Sequence, residues 1–220
     1  MATVSIFGAG QLGSAVAAGL RERASHSVTG PYARVDRELA LNSGADVVLI
    51  ATTTLFKDVA DDIRTAVNAG SNVLVSSEEC AYPWAVNRKL ADELDKLAKA
   101  KRVSIAGAGV NPGLIFDALV ATLLGPTPSG FNNDGSPKTT IVVRRTVNIS
   151  GFGATVLRRI GVGATEKEFK EKVERGEILG HAGFPQSMNV VADALGIAIK
   201  QIDKELLPVI TNDSIDLPDR

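Results

Sequence analysis

The sequence predicts an α/β fold in which short apolar strands alternate with amphipathic helices to build a doubly wound parallel sheet. Three observations carry that expectation. A β-branched segment at the N-terminus runs into Gly8-Ala9-Gly10-Gln11-Leu12-Gly13 and then an Ala-rich stretch. Strand-like and helix-like segments repeat at the period of βαβ units through the first 125 residues. Glycine is abundant, at 21 residues in a chain that is 45% hydrophobic, as many tight strand-to-helix turns require.

Thr3 to Phe7 reads as the first strand and Ser14 to Arg23 as the first helix. The glycines between them have G-x-G-x-x-G spacing in a strand-turn-helix context, the Rossmann-type arrangement for a dinucleotide. Gly8 permits the tight turn, Gly10 lets backbone approach a pyrophosphate, and Gly13 lets the helix pack on the strand. The helix N-terminus offers free N–H groups to phosphates, so Gly8, Gly10, Gln11, Leu12 and Gly13 are the expected cofactor contacts. The second strand is predicted at Ser27-Val28-Thr29. An acid that would hold the adenosine ribose is expected about 20 residues beyond the glycines. Arg34 lies nearer that position than Asp36 does. Arg34 is either a partner for the 2′-phosphate of NADP or a solvated surface charge, so the cofactor is NADP or NAD, with NADP favoured.

Asp46 to Ile50 is the next strand, followed by Ala51-Thr52-Thr53-Thr54. Thr52 and Thr53 either line the cofactor site or cap the helix from Phe56 to Ala69, which carries apolar Val59, Ile63 and Val67. Further elements are a strand at Asn72–Val75, a helix at Trp84–Lys99, a strand at Val103–Ile105 and a helix from Pro112 to Leu124 with Pro in its first turn. Glu78 and Glu79 follow the Asn72–Val75 strand, at the sheet edge where ligands of α/β folds bind. Two buried adjacent acids repel if both are ionised, so one needs a partner or a task. In an extended turn they would face opposite sides. The alternative is that both cap the helix beginning at Trp84. Cys80 reads as a small buried thiol rather than a nucleophile.

Turn formers crowd residues 126–137, dividing the chain into a dinucleotide-binding domain, 1–125, and an α+β substrate or oligomerisation domain, 126–220, either compact or incomplete. In the latter, Thr139 to Ile149 is a β-branched strand candidate. Thr165 with Glu168 forms a capping box, and Pro185 to Leu195 is a helix with apolar Val190, Val191 and Leu195. The charged run Glu166–Glu177 is a solvated face. With 24 basic and 25 acidic residues, no electrostatic footprint for nucleic acid appears. No apolar run approaches a membrane span, and no secretory signal opens the chain. One cysteine and two distant histidines, His26 and His181, make no disulfide framework and no metal site. A cytoplasmic enzyme is the expectation.

Two blocks carry a resemblance. Ser77-Glu78-Glu79-Cys80-Ala81-Tyr82-Pro83-Trp84 and Gly107-Ala108-Gly109-Val110-Asn111-Pro112-Gly113, with Asp117, resemble the dihydrodipicolinate-reductase-like family. Within it they resemble the branch of 2,4-diaminopentanoate dehydrogenases and native amine dehydrogenases. Arg158-Arg159, the segment Thr165 to Gly176, Gly180-His181-Ala182-Gly183 and Gln186-Ser187 resemble the second domain of that branch. The resemblance implies NAD(P)-dependent oxidative deamination of a small amine, or reductive amination of a ketone, by a homodimer. It implies that Glu78 or Glu79 handles the amine. Gly109 and Asn111 would lie at the cofactor, and Asn111, Pro112, Tyr82 and Trp84 at the substrate. His181 is either near the substrate or a loop histidine satisfied by backbone. A His-His-Lys signature is missing, so dihydrodipicolinate reduction itself is not expected. The region Thr29–Asp46 is short for the family, and family members extend beyond this chain, implying a compact relative or a fragment. Two alternatives stand: another amino-acid-pathway reductase, such as a homoserine- or aspartate-dehydrogenase-like protein, and a truncated dinucleotide-binding protein without turnover. The Glu-Glu-x-x-Tyr-Pro-Trp block argues against the former.

Overall fold

The computed structural model describes residues 1–23, 26–126, 138, 140–144, 146–149, 151–178, 180 and 183–210. Five parallel strands form one sheet: β1 (Ala2–Phe7), β2 (His26–Tyr32), β3 (Val47–Ile50), β4 (Asn72–Val75) and β5 (Ile105–Gly107), in the order β2-β1-β3-β4-β5. Helices α1 (Gln11–Glu22), α2 (Arg37–Leu41), α3 (Phe56–Asn68) and α4 (Arg88–Lys101) connect them. The Rossmann-type sheet expected from the alternation is therefore present.

Strand periodicity sorts the core into two faces. Val48 and Ile50 of β3 meet Val59, Ile63 and Val67 of α3 and Leu94 of α4 on one face. Leu49 and Val47 join Val4, Ile6 and Ala17 beneath α1 on the other. Arg37 reaches Asp62 at 2.6 Å, pinning α2 to α3.

Several boundaries differ from the sequence expectation. Strand β2 runs on to Tyr32 through Gly30 and Pro31, which an edge strand tolerates. The helix of the second βα unit is only five residues, as the short Thr29–Asp46 region implied. The helix expected from Trp84 begins instead at Arg88, after two 3-10 turns at Glu78–Ala81 and Pro83–Ala85. Residues 111–117 are turns, and α5 (Ala118–Leu124) starts only after them.

Beyond α5 the described elements are α6 (Ala154–Arg159), α7 (Glu166–Glu174) and α8 (Phe184–Leu195). The Thr165/Glu168 capping box forms in full. The expected strand from Thr139 to Ile149 is a correction: described residues 140–144 and 146–149 carry no strand. A β-branched run becomes a strand only with a neighbour to take its hydrogen bonds, and no described segment pairs with it. Residues 127–137, on which the expected linker falls, lie outside the described residues.

Candidate active site at the carboxyl edge of the sheet

The crossovers leaving β1 and returning to β3 run in opposite directions, so a topological switch point lies between these strands. The glycine turn sits there. Gly8 has φ +128°, and a Cβ on it would lie 2.2 Å from the Ala51 carbonyl oxygen. A Cβ on Gly13 would lie 1.8 Å from the Gly8 oxygen. Gly10 faces open space. It accepts the Ser14 N–H, and no side chain caps the first turn of α1. Gln11 and Leu12 are exposed beside it, and Arg34 is exposed just past β2.

The loops after β3, β4 and β5 are tied into one rim. Ser77 donates its hydroxyl to the Thr53 oxygen at 2.5 Å, and the Glu79 N–H points to the Thr54 oxygen at 3.5 Å. The Thr52 hydroxyl is buried and has no partner among the described residues. Threonine does not cap α3. That role belongs to Glu79, whose carboxylate accepts the Phe56 N–H at 2.7 Å.

Glu78 and Glu79 occupy a 3-10 turn rather than extended chain, so the expected opposite-facing alternation gives way to a roughly 120° step per residue. Glu79 serves α3, which corrects the reading that both acids cap the helix near Trp84; Glu78 beside it is half-buried. Cys80 is 6% exposed. Burial chiefly, with the Glu79 charge beside it, pushes its thiol from 9.0 up to about 12, so it is an inert neutral thiol.

Tyr82 and Trp84 meet edge to face, with centroids 5.7 Å apart. Their polar ends are engaged within the protein. The Tyr82 hydroxyl donates to Asp193 on α8 at 2.8 Å, and the Trp84 indole N–H donates to Asp92 at 2.8 Å. Trp84, Cys80, Leu94 and Ile105 line a cavity of about 430 Å³ that includes none of the glycine-turn residues.

The loop after β5 is folded tightly. A Cβ on Gly107 would lie 2.2 Å from the Cys80 oxygen, and one on Gly113 2.6 Å from the Gly109 nitrogen. Asn111 stands at the apex of this turn, next to buried Pro112, and both side-chain polar atoms are buried without a partner among the described residues. Beneath it Asp117, fully buried, accepts the N–H groups of Gly113 and Ala118, each at 2.7 Å. Asp117, Ser187 and Asp193 are structural partners of the site that no motif role identified. An Asp directly before the apolar run Ala118-Leu119-Val120 is itself an N-cap signal. Gln186 of α8 is 3% exposed, and its Oε1 is also unpartnered among the described residues. His181 lies outside the described residues. No cluster of three or more potential metal ligands stands together among them, and no described helix is long and apolar enough to cross a membrane.

Residues 114–217 match the model of the 2,4-diaminopentanoate dehydrogenase C-terminal domain. The chain is 36% identical over 176 residues to 2,4-diaminopentanoate dehydrogenase of Acetoanaerobium sticklandii, covering 80% of this chain and 48% of that protein. It thus spans about half the length of the curated relative it matches. Among solved structures, amine dehydrogenase from Mycobacterium smegmatis superposes with a TM-score of 0.66 at 20% identity, covering 91% of this chain and 63% of that one, which shows a shared fold. The matched C-terminal domain and the relative aligned over 176 residues both support the resemblance that the two central blocks carry to 2,4-diaminopentanoate dehydrogenase.

Proposed function

We propose that this chain is an NAD(P)-dependent oxidoreductase acting on the C–N bond of a small amine or amino acid, by oxidative deamination or the reverse reductive amination. The observation that carries this reading is the convergence on one sheet edge of an open glycine turn, the Glu78 loop and a buried Asn111 amide without a partner among the described residues. The residues fit a nicotinamide dinucleotide. Gly10 leaves room for a pyrophosphate at the uncapped start of α1, and the Thr52 hydroxyl and Asn111 amide, without partners among the described residues, offer polar groups that a ligand would satisfy. Arg34 past β2 favours the 2′-phosphate of NADP over the bare ribose of NAD. When bound, the nicotinamide accepts or supplies the hydride.

The protein's part is proton chemistry and orientation. In the oxidative direction Glu78 takes a proton from the substrate ammonium, leaving the nitrogen lone pair free to support the iminium as hydride departs. Once it has passed that proton to solvent, its carboxylate stands beside the iminium charge, takes a proton from the water that adds to that carbon and returns it to the nitrogen, which leaves as ammonium with the hydroxyl proton as the carbonyl forms. Glu79 stays on the α3 N–H and fixes the turn from which Glu78 projects. Asn111 orients the ring end of the cofactor.

The test is direct. Purified protein is titrated with NADH and NADPH by fluorescence, then assayed for reduced-cofactor formation with 2,4-diaminopentanoate and simple primary amines. Tighter binding of NADPH and turnover that disappears in Glu78→Gln are expected. Failure to bind either cofactor sinks the glycine-turn assignment, and binding without turnover of any amine sinks the C–N chemistry.

A further inference from the structure

Asp117 is fully buried, and three donors hold its carboxylate. Oδ1 takes the Ala118 N–H at 2.7 Å; Oδ2 takes the Gly113 N–H at 2.7 Å and the Ser187 hydroxyl at 3.0 Å. A buried carboxylate is tolerated only when its lone pairs are answered in this way. Each donor belongs to a different part of the site: Ala118 opens α5, Gly113 closes the turn bearing Asn111, and Ser187, 3% exposed, lies on α8. Gly113, at φ +126°, is folded back on Gly109, so the turn has little freedom once its N–H is held. Asn111 is thereby fixed with its amide buried and without a partner among the described residues.

We propose that Asp117 is a positioning residue: through Gly113 it holds Asn111 in place for the nicotinamide end of the cofactor, and through Ser187 it couples that placement to the docking of α8. This rests on the reading above that Asn111 faces the nicotinamide.

Asp117→Asn separates positioning from simple support. The amide oxygen keeps the Ala118 cap, while its NH2 group meets the Gly113 N–H donor to donor. NADPH binding is expected to weaken on the order of tenfold, while 2′-phospho-ADP-ribose, which lacks the nicotinamide, binds within about twofold of wild type. Amide exchange at Gly113, followed by NMR, should accelerate by at least about tenfold. Ser187→Ala, which leaves cap and turn bonds intact, should show the same pattern at roughly threefold, and it carries the test if Asp117→Asn fails to fold. Equal loss of both ligands in these variants, or unchanged NADPH affinity with unchanged Gly113 exchange, overturns the proposal. Wild-type protein that binds 2′-phospho-ADP-ribose as tightly as NADPH instead removes the nicotinamide from Asn111. The Gly113 exchange then decides the clamp by itself.

Discussion

Glu79 and Glu78 are neighbours in sequence with different environments. The Glu79 carboxylate meets the first N–H of α3 at 2.7 Å, where an anion also faces the positive end of the helix dipole. Glu79→Ala should lower stability by about 1 kcal/mol, seen as a lower urea midpoint, whereas Glu79→Gln, which keeps an acceptor, should cost less. Glu78→Gln, which keeps the side-chain shape and an acceptor, should remove turnover while the cofactor still binds; turnover that survives it would take Glu78 out of the proton chemistry. One residue on, the Cys80 thiol is held neutral up to about 12 by burial, with the Glu79 charge adding to it. Its folded value exceeds its unfolded value, so the associated stability is complete below about pH 9 and drains away as pH rises towards 12. Wild-type urea stability should therefore fall from pH 9 to 11 by up to about 1.4 kcal/mol per unit, more steeply than in Cys80→Ala. Parallel pH profiles for the two proteins would contradict the buried-thiol account.

At the scale of elements, the glycine turn gives opposed predictions for two glycines. Gly13→Ala puts a methyl 1.8 Å from the Gly8 oxygen, so β1 and α1 must separate, and a loss of several kcal/mol or failure to fold is expected. Gly10→Ala enters open space and should leave the thermal midpoint within a few degrees while reducing dinucleotide affinity. If Gly10→Ala binds as well as wild type, the phosphates lie elsewhere. These roles are legible in the sequence because strand, turn and helix are contiguous there. The same holds for Asn72–Val75 and for the Thr165/Glu168 box, whose signals lie within a few residues. Legibility fails where the deciding partner is remote. The α3 cap comes from Glu79, 23 residues beyond Phe56, so the nearer threonines read as the obvious cap. Thr139 to Ile149 has every local mark of a strand, and no described segment pairs with it. Pro112 looks like a first helical turn, yet the Asp117 carboxylate caps α5 at Ala118.

For the molecule as a whole, α8 joins the second half to the sheet edge among the described residues. Its N-terminal turn is held by a Phe116–Phe184 stack, centroids 5.8 Å apart, and by the buried Ser187–Asp117 bond. Near its other end the tie is Asp193, which takes the Tyr82 hydroxyl across 111 residues of chain. That second tie is exposed, where water competes and a hydrogen bond contributes at the low end of about 0.5–1.5 kcal/mol. The two ends should therefore open independently, the Asp193 end first. Tyr82→Phe removes one hydroxyl and leaves the ring against Trp84, so amide exchange over 191–195 should rise by about two- to fivefold. Exchange at 186–188 and in β4 should not change. Tyr82→Phe with Asp193→Ala should add nothing beyond either change alone, because both delete the same bond. Acceleration spread evenly over α8, β4 and β5 would mean that helix and sheet open as one unit, and the coupling of α8 to the Asn111 turn would then be a property of the whole fold rather than of Asp117 and Ser187.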